Sequence, residues 1–191
     1  GIGIIPQGLN ISPKNARPGD IIMVNGNIGD HGMAIMSKRS GLEFETAIQS
    51  DTAPLNDLVD TMLSESKAIH CLRDATRGGL AAVLNELATS SQIGIEFDEN
   101  SVPVQPEVKA ACEMLGLDPL YIANEGKLVV VLPEIEAEKI LAAMRNHPNG
   151  KNAAVIGRVV EKHPGLVTTR TSIGGMRVVD LPAGELLPRI C

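Results

Sequence analysis

The chain has 191 residues, with 17 Lys and Arg against 23 Asp and Glu for a net charge of -6, 43% hydrophobic residues and only three aromatic ones. This composition is that of a globular protein with one large domain or two small ones, and it excludes disordered, collagen-like and heptad-built chains. The acidic charge and the scarcity of aromatic side chains argue against a nucleic-acid surface, and the longest apolar run, at 128–132, is far shorter than the roughly 18 residues that span a bilayer.

The first third of the chain predicts one strand and two helices. A short apolar run at residues 20–25, ended by Gly26, predicts a buried strand. Asp30 is a candidate N-cap for a short helix that ends near residues 40–41. Apolar residues then recur at the spacing of an amphipathic helix: Leu55, Leu58, Val59, Met62 and Leu63.

Strands and helices alternate through the middle of the chain. Strands are predicted at residues 68–72, 93–97 and 128–132. A helix follows the Gly78-Gly79 pair, and another ends at Gly116. The apolar stripes of these two helices and of a third one after the last strand are Leu80, Val83, Leu84, Leu87 and Ala88; Val108, Ala111, Cys112 and Leu115; and Ala137, Ile140, Leu141 and Met144.

The pattern changes after residues 148–150. Three short strands, at 154–159, 166–169 and 176–179, are separated by Pro/Gly turns without a helix, which predicts antiparallel hairpins. The sequence therefore predicts one α/β or α+β domain over residues 19–181, with a mixed β-sheet and helices packed on one face. Residues 1–18 are rich in Gly and Pro and lack an initiator Met, so we interpret them as a connector and expect the sequence to be part of a longer protein.

The first candidate site is the segment from Asp74 to Gly79. Paired glycines, Gly78 and Gly79, at a helix start allow backbone N–H groups to approach an anion, and the helix dipole adds to the attraction. Arg77 is suited to bind a phosphate with two hydrogen bonds, and Asp74 is suited to hold a Mg²⁺ ion that bridges phosphates. The same residues also fit a helix that binds nothing, with Asp74 or Thr76 as its N-cap and Arg77 in solvent.

Two further motifs place titratable side chains at the ends of predicted elements. Asn124-Glu125-Gly126 lies just before a buried strand, where ligand sites of open α/β sheets gather, so Glu125 is either a general base or an ordinary turn residue. In Gly29-Asp30-His31-Gly32, His31 is either a proton carrier in the first helical turn or only a residue beside the cap Asp30. We favour the structural interpretation of His31.

The three cysteines form no close pair and the four histidines have no metal-ligand spacing, so the sequence indicates a reducing compartment and no metal held by protein ligands alone. Cys71 and Cys112 lie on apolar faces and are predicted to be core residues. Cys191 ends the segment 182–191, which contains two prolines and no regular period. We interpret this segment as a flexible arm that extends up to about 33 Å and carries a thiol, although an unused terminus is the alternative. The cation of Arg189 favours the reactive thiolate, whereas the neighbouring α-carboxylate disfavours it.

Together, the three motifs and the ending Pro188-Arg189-Ile190-Cys191 resemble the HypE family of hydrogenase maturation carbamoyl dehydratases. The resemblance covers nearly the whole chain, as the C-terminal domain of that family. The internal motifs alone indicate only the wider superfamily of aminoimidazole ribonucleotide synthetase and selenophosphate synthetase. The terminal Pro-Arg-Ile-Cys is the specific part.

The resemblance implies a carrier mechanism in the cytoplasm. A partner carbamoyltransferase, HypF, places a carbamoyl group on the sulfur of Cys191, and ATP-dependent dehydration turns this thiocarboxamide into a thiocyanate, the source of the cyanide ligands of the NiFe-hydrogenase iron. Glu125 is then the candidate acceptor of an N–H proton, and the turn from Asp74 to Gly79 is expected to serve ATP phosphates and Mg²⁺. The resemblance also implies a full-length homodimer and docking to the HypC–HypD scaffold complex.

The N-terminal half of that family, which supplies much of its ATP site and its main dimer contact, is absent from these 191 residues. We therefore expect the chain alone to bind ATP weakly or not at all and to turn nothing over. Two alternatives remain: a synthetase or small-molecule kinase of the same superfamily that acts on a free substrate, and a non-catalytic interaction module with the arm as a docking peptide. We favour the carrier dehydratase because both alternatives leave the Pro-Arg-Ile-Cys ending unexplained.

Overall fold

The computed structural model describes residues 4–40 and 48–181, and within these ranges a seven-stranded sheet is combined with five α-helices. The strands are β1 (Asp20–Val24), β2 (Cys71–Asp74), β3 (Gly94–Asp98), β4 (Leu128–Pro133), β5 (Ala154–Val160), β6 (Val167–Arg170) and β7 (Met176–Val178). The helices are α1 (Asp30–Ser40), α2 (Asn56–Glu65), α3 (Gly79–Ser91), α4 (Pro106–Leu115) and α5 (Glu134–Asn146). The predicted mixed sheet in an α/β fold is confirmed.

The strands lie in the order β2-β4-β1-β5-β3-β6-β7. Each neighbouring pair is antiparallel except β3 and β6, which are parallel. All five residues of β1 are buried, as are the first five of β4. Continuous apolar strands of this kind are typical of a sheet that is covered on both faces.

The helices lie on both faces of the sheet, so the expectation that they pack on one face is wrong. Ile22 and Val131 face one cluster together with Leu84 of α3. Met23 and Val130 point the other way, into a second cluster that contains Leu58 and Met62 of α2 and Ile140 and Met144 of α5. Successive side chains of a strand point to opposite faces, so the apolar residues 21–24 of β1 and 128–132 of β4 leave two faces to bury.

The prediction of C-terminal hairpins is correct only for β6 and β7 among the described strands. β5 pairs with β1 and β3, and β6 lies on the far side of β3. The chain after β5 crosses the start of β3, where a Cβ on Gly94 would lie 1.9 Å from the carbonyl oxygen of Lys162. β3 thus occupies the position that a hairpin partner of β5 would take.

Both internal cysteines are core residues, as predicted. Cys71 on β2 and Cys112 on α4 are each at most 1% exposed. Burial raises the pKa of both thiols to about 11; the charge of Arg73 opposes this rise at Cys71, and Asp118 and Glu113 add to it at Cys112. Neither sulfur is therefore a thiolate at neutral pH, and neither is suited to act as a nucleophile.

The predicted connector, residues 1–18, is in part packed against the domain. Ser12 donates its backbone N–H to the carbonyl oxygen of His70 at 2.9 Å, and Ala16 belongs to the core beneath α3. The position of the domain boundary stays a prediction. Over the two described ranges, none of the helices combines the length and apolar character needed to cross a bilayer.

Candidate functional site

Strand register brings the three sequence motifs to one edge of the sheet. Val24, the last residue of β1, pairs with Val129, and Asp74, the last residue of β2, pairs with Leu128. The loops that follow β1 and β2 therefore meet the loop that precedes β4. The Gly29 to Gly32, Asp74 to Gly79 and Asn124 to Gly126 motifs lie in these loops and in the ends of the adjoining strand and helices.

Asn124 links the three loops from a fully buried position. Its Oδ1 accepts the backbone N–H of Gly29 at 2.8 Å, which holds the loop after β1. Its Nδ2 donates to the carbonyl oxygen of Ala75 at 2.7 Å, which holds the loop after β2, and to that of Ile122 at 3.2 Å. Within the described part of the chain, the hydrogen bonds of its side chain all go to backbone groups, so the geometry supports a structural role for Asn124 within the site.

Asp30 and His31, at the start of α1, are 6% and 8% exposed. Gln105 donates to Asp30 Oδ2 at 3.1 Å, and His31 Nδ1 lies 2.8 Å from the hydroxyl of Ser50. Asp30 Oδ1 and His31 Nε2 are buried without a hydrogen-bond partner in the described part of the chain. The Gly32 N–H donates to the Ala123 carbonyl at 3.0 Å, so α1 begins in direct contact with the Asn124 loop. The buried ring of His31 agrees with the structural interpretation.

Burial raises the pKa of Asp30 above its ordinary value. The hydrogen bond from Gln105 and the charge of Lys127 oppose this rise, whereas the negative charges of Asp51 and Glu107 add to it. The net direction is upward, so ionised Asp30 is less favourable in the folded chain than in water.

Glu125 is half-buried, and its backbone is held by a residue that sequence reasoning missed. The Glu125 N–H donates to Asp51 Oδ1 at 3.1 Å. The Asp51 side chain is 4% exposed and its Oδ2 forms an ion pair at 3.0 Å with Nζ of Lys127, which is 13% exposed. The angle between the Lys127 ammonium and Asp51 Oδ2 does not suit a hydrogen bond, so these two groups attract each other by charge alone. No local spacing links Asp51 to Glu125, which is 74 residues away along the chain.

Asp74 presents an exposed carboxylate at the end of β2. Its Oδ2 accepts the hydroxyl of Thr76 at 2.9 Å, and Arg73 forms an ion pair with Oδ1. Burial acts to raise the pKa of Asp74, but the hydrogen bond from Thr76 and the charge of Arg73 outweigh it and lower the pKa. An ionised and accessible carboxylate is the kind of ligand that Mg²⁺ prefers.

The alternative in which Asp74 or Thr76 caps α3 is wrong. The N-cap is Gly78, with φ of 72°, and no side chain caps this helix. Gly79 has φ of 64° and packs against the following loop, since a Cβ there would lie 2.6 Å from the carbonyl oxygens of Leu120 and Ile122. Close packing therefore explains Gly79. Arg77 is exposed, and the phosphate-binding roles of Arg77, Gly78 and Gly79 stay predictions.

Over residues 4–40 and 48–181, no cluster of three or more His, Cys, Asp or Glu side chains could hold a metal ion. A cavity of about 430 Å³ lies elsewhere, between α4, the residues on either side of it and β7, and none of the predicted site residues lines it. Cys191 and Arg189 lie outside the described residues.

Replacing the buried amide of Asn124 should destabilise the whole site. Asn124→Ala leaves the Gly29 N–H and the Ala75 carbonyl without their partner, and two such buried groups cost about 2–6 kcal/mol of the free energy of unfolding. Urea unfolding followed by circular dichroism measures this loss. Asn152→Ala, at an exposed position, is the matched control and should change the same quantity by less than about 0.5 kcal/mol. Equal stabilities of the two variants would contradict the role of Asn124.

The raised pKa of Asp30 predicts that this carboxylate costs stability at neutral pH. A carboxyl with a raised folded-state pKa stabilises the fold when protonated, and this contribution is lost as the pH rises through the folded pKa. Asp30→Asn should therefore melt at a higher temperature than the parent chain at pH 7, and the difference should shrink as the pH falls towards 4. Thermal melts of both chains across this range measure it. The exposed Asp60→Asn should show no such trend, and a lower melting temperature of Asp30→Asn at pH 7 would refute the prediction.

Comparison with known proteins gives consistent matches. Residues 17–168 match the family described as AIR synthase related protein, C-terminal domain. Over its whole length the chain is 54% identical to the carbamoyl dehydratase HypE of Cupriavidus necator and spans 54% of that protein. The fold is similar to a crystal structure of the hydrogenase maturation protein HypE in complex with ATP, with 46% identity and a TM-score of 0.90 over 95% of this chain and 55% of the other.

A chain of a HypE–HypF complex is also similar, with 50% identity and a TM-score of 0.87 over 91% of this chain and 56% of the other. These matches confirm the predicted resemblance to HypE. The chain spans about half the length of the relatives it matches. Its sequence and its fold place it, on the match over residues 17–168, in the AIR synthase related protein C-terminal domain family.

Proposed function

We propose that this chain is part of an ATP-dependent carbamoyl dehydratase that acts in hydrogenase maturation. The observation that carries the proposal is the meeting of the Glu125 loop and the Asp74 to Gly79 turn at one edge of the sheet, in a chain 54% identical to a protein named carbamoyl dehydratase HypE. The substrate is a carbamoyl group carried as a thiocarboxamide on the sulfur of Cys191, and the product is a thiocyanate on the same sulfur.

The proposed reaction needs ATP because an amide oxygen is a poor leaving group. Transfer of the terminal phosphoryl group of ATP to the thiocarboxamide oxygen turns that oxygen into part of a phosphate. The C–O bond then breaks, the phosphate leaves, and the two N–H protons are lost as the C≡N bond forms. The balance is one thiocarboxamide and one ATP converted to one thiocyanate, ADP and phosphate.

Within this chain, Glu125 is the proposed acceptor of one N–H proton. Its side chain makes no hydrogen bond or ion pair to the residues that the structure describes, and it is only half-buried, so a substrate can approach it. Proton acceptance requires the thiocarboxamide nitrogen to come within about 3 Å of the carboxylate. Cys191 is proposed to carry the substrate, with the charge of Arg189, two positions earlier in the sequence, favouring the thiolate that accepts the carbamoyl group against the effect of the α-carboxylate.

Asp74 is the proposed contact for a Mg²⁺ ion bound to the ATP phosphates. Its lowered pKa keeps the carboxylate ionised at neutral pH and its side chain is accessible, so the residue fits such an ion. Arg77 and the turn at Gly78 and Gly79 are proposed to contact the phosphates. Bound ATP would supply the phosphoryl group that activates the substrate oxygen. The crystal structure of HypE in complex with ATP supports ATP as the nucleotide.

We infer the partners of the full-length protein from the same family. A solved HypE–HypF complex supports HypF as a partner, and we propose that HypF is the carbamoyl donor. Delivery of the cyanide group to a HypC–HypD scaffold, a homodimeric full-length form and a cytoplasmic location complete the proposal.

Intact mass of the full-length protein tests the mechanism directly. The protein is incubated with ATP, carbamoyl phosphate and purified HypF, and the Cys191 peptide is then mapped. We expect the mass of the Cys191 peptide to increase by one carbamoyl group, and this increase to fall by one water when ATP turns over.

The role of Glu125 is tested in the same assay. Glu125→Gln should accumulate the carbamoylated protein, because dehydration is slowed by about 10²–10⁴-fold. Glu138→Gln, exposed on α5, is the matched control and should react like the parent. An unmodified Cys191 beside active HypF would favour a synthetase or kinase with a free substrate, whose activity survives Cys191→Ala.

We also propose that the 191-residue chain by itself lacks a complete ATP site. It spans 54% of the Cupriavidus necator relative, and the phosphate-binding candidates it contains come from a single turn. Calorimetric titration with MgATP should give no measurable heat of binding for this chain and clear binding for the full-length protein. Hydrolysis of ATP by the 191-residue chain at the rate of the full-length protein would overturn this expectation.

A further inference from the structure

We propose that Asp51 is a positioning residue that holds the loop around Glu125, so that the Glu125 carboxylate leaves the backbone in one defined direction. The inference rests on the proposed role of Glu125 as proton acceptor. Asp51 belongs to no helix or strand and to none of the sequence motifs. Its contacts nevertheless converge on the three residues 125–127.

Asp51 contacts each of these residues through a different group. Its Oδ1 accepts the backbone N–H of Glu125 at 3.1 Å. Its backbone carbonyl lies so near Gly126 that a Cβ on Gly126 would come within 2.0 Å of that oxygen. Its Oδ2 lies 3.0 Å from Nζ of Lys127. The hydrogen bond at the Glu125 N–H and the close backbone approach at Gly126 therefore keep the loop against Asp51.

The ion pair between Asp51 and Lys127 is nearly enclosed by protein. The two side chains are 4% and 13% exposed, and Lys127 Nζ also lies 3.4 Å from the Gly126 carbonyl that it can donate to. Removing two charges from water offsets most of their attraction, so a buried pair of this kind adds little stability. The pair instead fixes the position of the loop, because a buried charge that moves away from its partner is strongly unfavourable. Lys127 is therefore held next to Asp51, and the loop that precedes it is held with it.

Asp51 is itself anchored from the side of α1. The hydroxyl of Ser50 lies 2.8 Å from His31 Nδ1 and 2.8 Å from the hydroxyl of Thr52, and it accepts the Thr52 N–H at 3.3 Å. These contacts hold the backbone on both sides of Asp51. They also give the buried ring of His31 a role, which is to orient Ser50.

The Glu125 backbone is consequently held on both sides while its carboxylate is left unbound. Asn124 before it is tied to Gly29 and Ala75, and Lys127 after it is paired with Asp51. In the ranges 4–40 and 48–181 the Glu125 side chain has no hydrogen bond or ion pair of its own. A rigid backbone that presents an unbound carboxylate is the arrangement that proton transfer to a positioned side chain requires.

The contact itself is tested on the 191-residue chain by NMR of the Glu125 amide. In Asp51→Ala this amide loses its acceptor, so we expect its proton to exchange with solvent at least tenfold faster and its proton resonance to move upfield. In Asp51→Asn the side-chain oxygen can still accept the Glu125 N–H, although the charge that faces Lys127 is lost, so exchange should accelerate less than in Asp51→Ala. Asp60→Ala, at an exposed position on α2, is the matched control. An unchanged exchange rate in Asp51→Ala overturns the proposal whatever the function of the protein.

The consequence for catalysis is tested in the full-length protein. Displacement of a reacting group by about 1 Å costs about 10²-fold in rate, so Asp51→Ala should lower kcat for dehydration by about that factor with KM for ATP unchanged within twofold. Asp51→Asn should recover at least a tenth of the parent kcat, which a general loss of folding would not allow. A parent-like kcat of Asp51→Ala beside an inactive Glu125→Gln overturns the positioning role alone. A parent-like kcat of Glu125→Gln instead overturns the proposed function. The exchange rate of the Glu125 amide proton then still tests whether Asp51 holds the Glu125 backbone.

Discussion

The antiparallel pairing of β1 with β4 is the constraint on which the rest of the structure depends. Ile22 pairs with Val131 and Val24 with Val129, so the two strands bury apolar side chains on both faces at the centre of the sheet. Two buried faces require two layers of helices, which α3 supplies on one side and α2 and α5 supply on the other. The same pairing brings the end of β1 beside the start of β4, and this is where the candidate site forms.

Burying the polar groups at this edge of the sheet costs stability, and such burial is more typical of a functional site than of a core. Asp30 is almost enclosed with a raised pKa and with one carboxylate oxygen unpaired among the described residues, and Asp51 is enclosed beside Lys127. Buried acids of this kind are retained where they orient other groups. Asp51 contacts the Glu125 loop directly, and Asp30 begins the helix whose preceding loop is held by Asn124. The loops around Glu125 are therefore held largely by buried polar contacts, in addition to the apolar packing of the sheet.

Much of the fold was predictable because it depends on local patterns. The apolar spacing of Leu58 with Met62, and of Leu80 with Leu84, indicates helices wherever these segments lie in space. The separation of β5 from β6 was not predictable, since it depends on β3 lying between two later strands. The second layer of helices was missed, although the continuous apolar run of β4 requires cover on both faces. The site divides in the same way: residue types and glycine pairs marked Asp74 and Glu125, whereas Asp51 has no local signal.

The sequence by itself determined which segments are helices and strands, which cysteines are buried, and to which family the motifs belong, because each of these follows from residue type and short-range spacing. Only the tertiary structure decided that Asn124 joins three loops, that Gly78 rather than Asp74 or Thr76 caps α3, and that Asp51 holds the Glu125 backbone. The hydrogen bonds of Asn124 to the other two loops and of Asp51 to Glu125 join groups 49 to 95 residues apart, and the register of the strands, not the local sequence, brings these groups within hydrogen-bond distance.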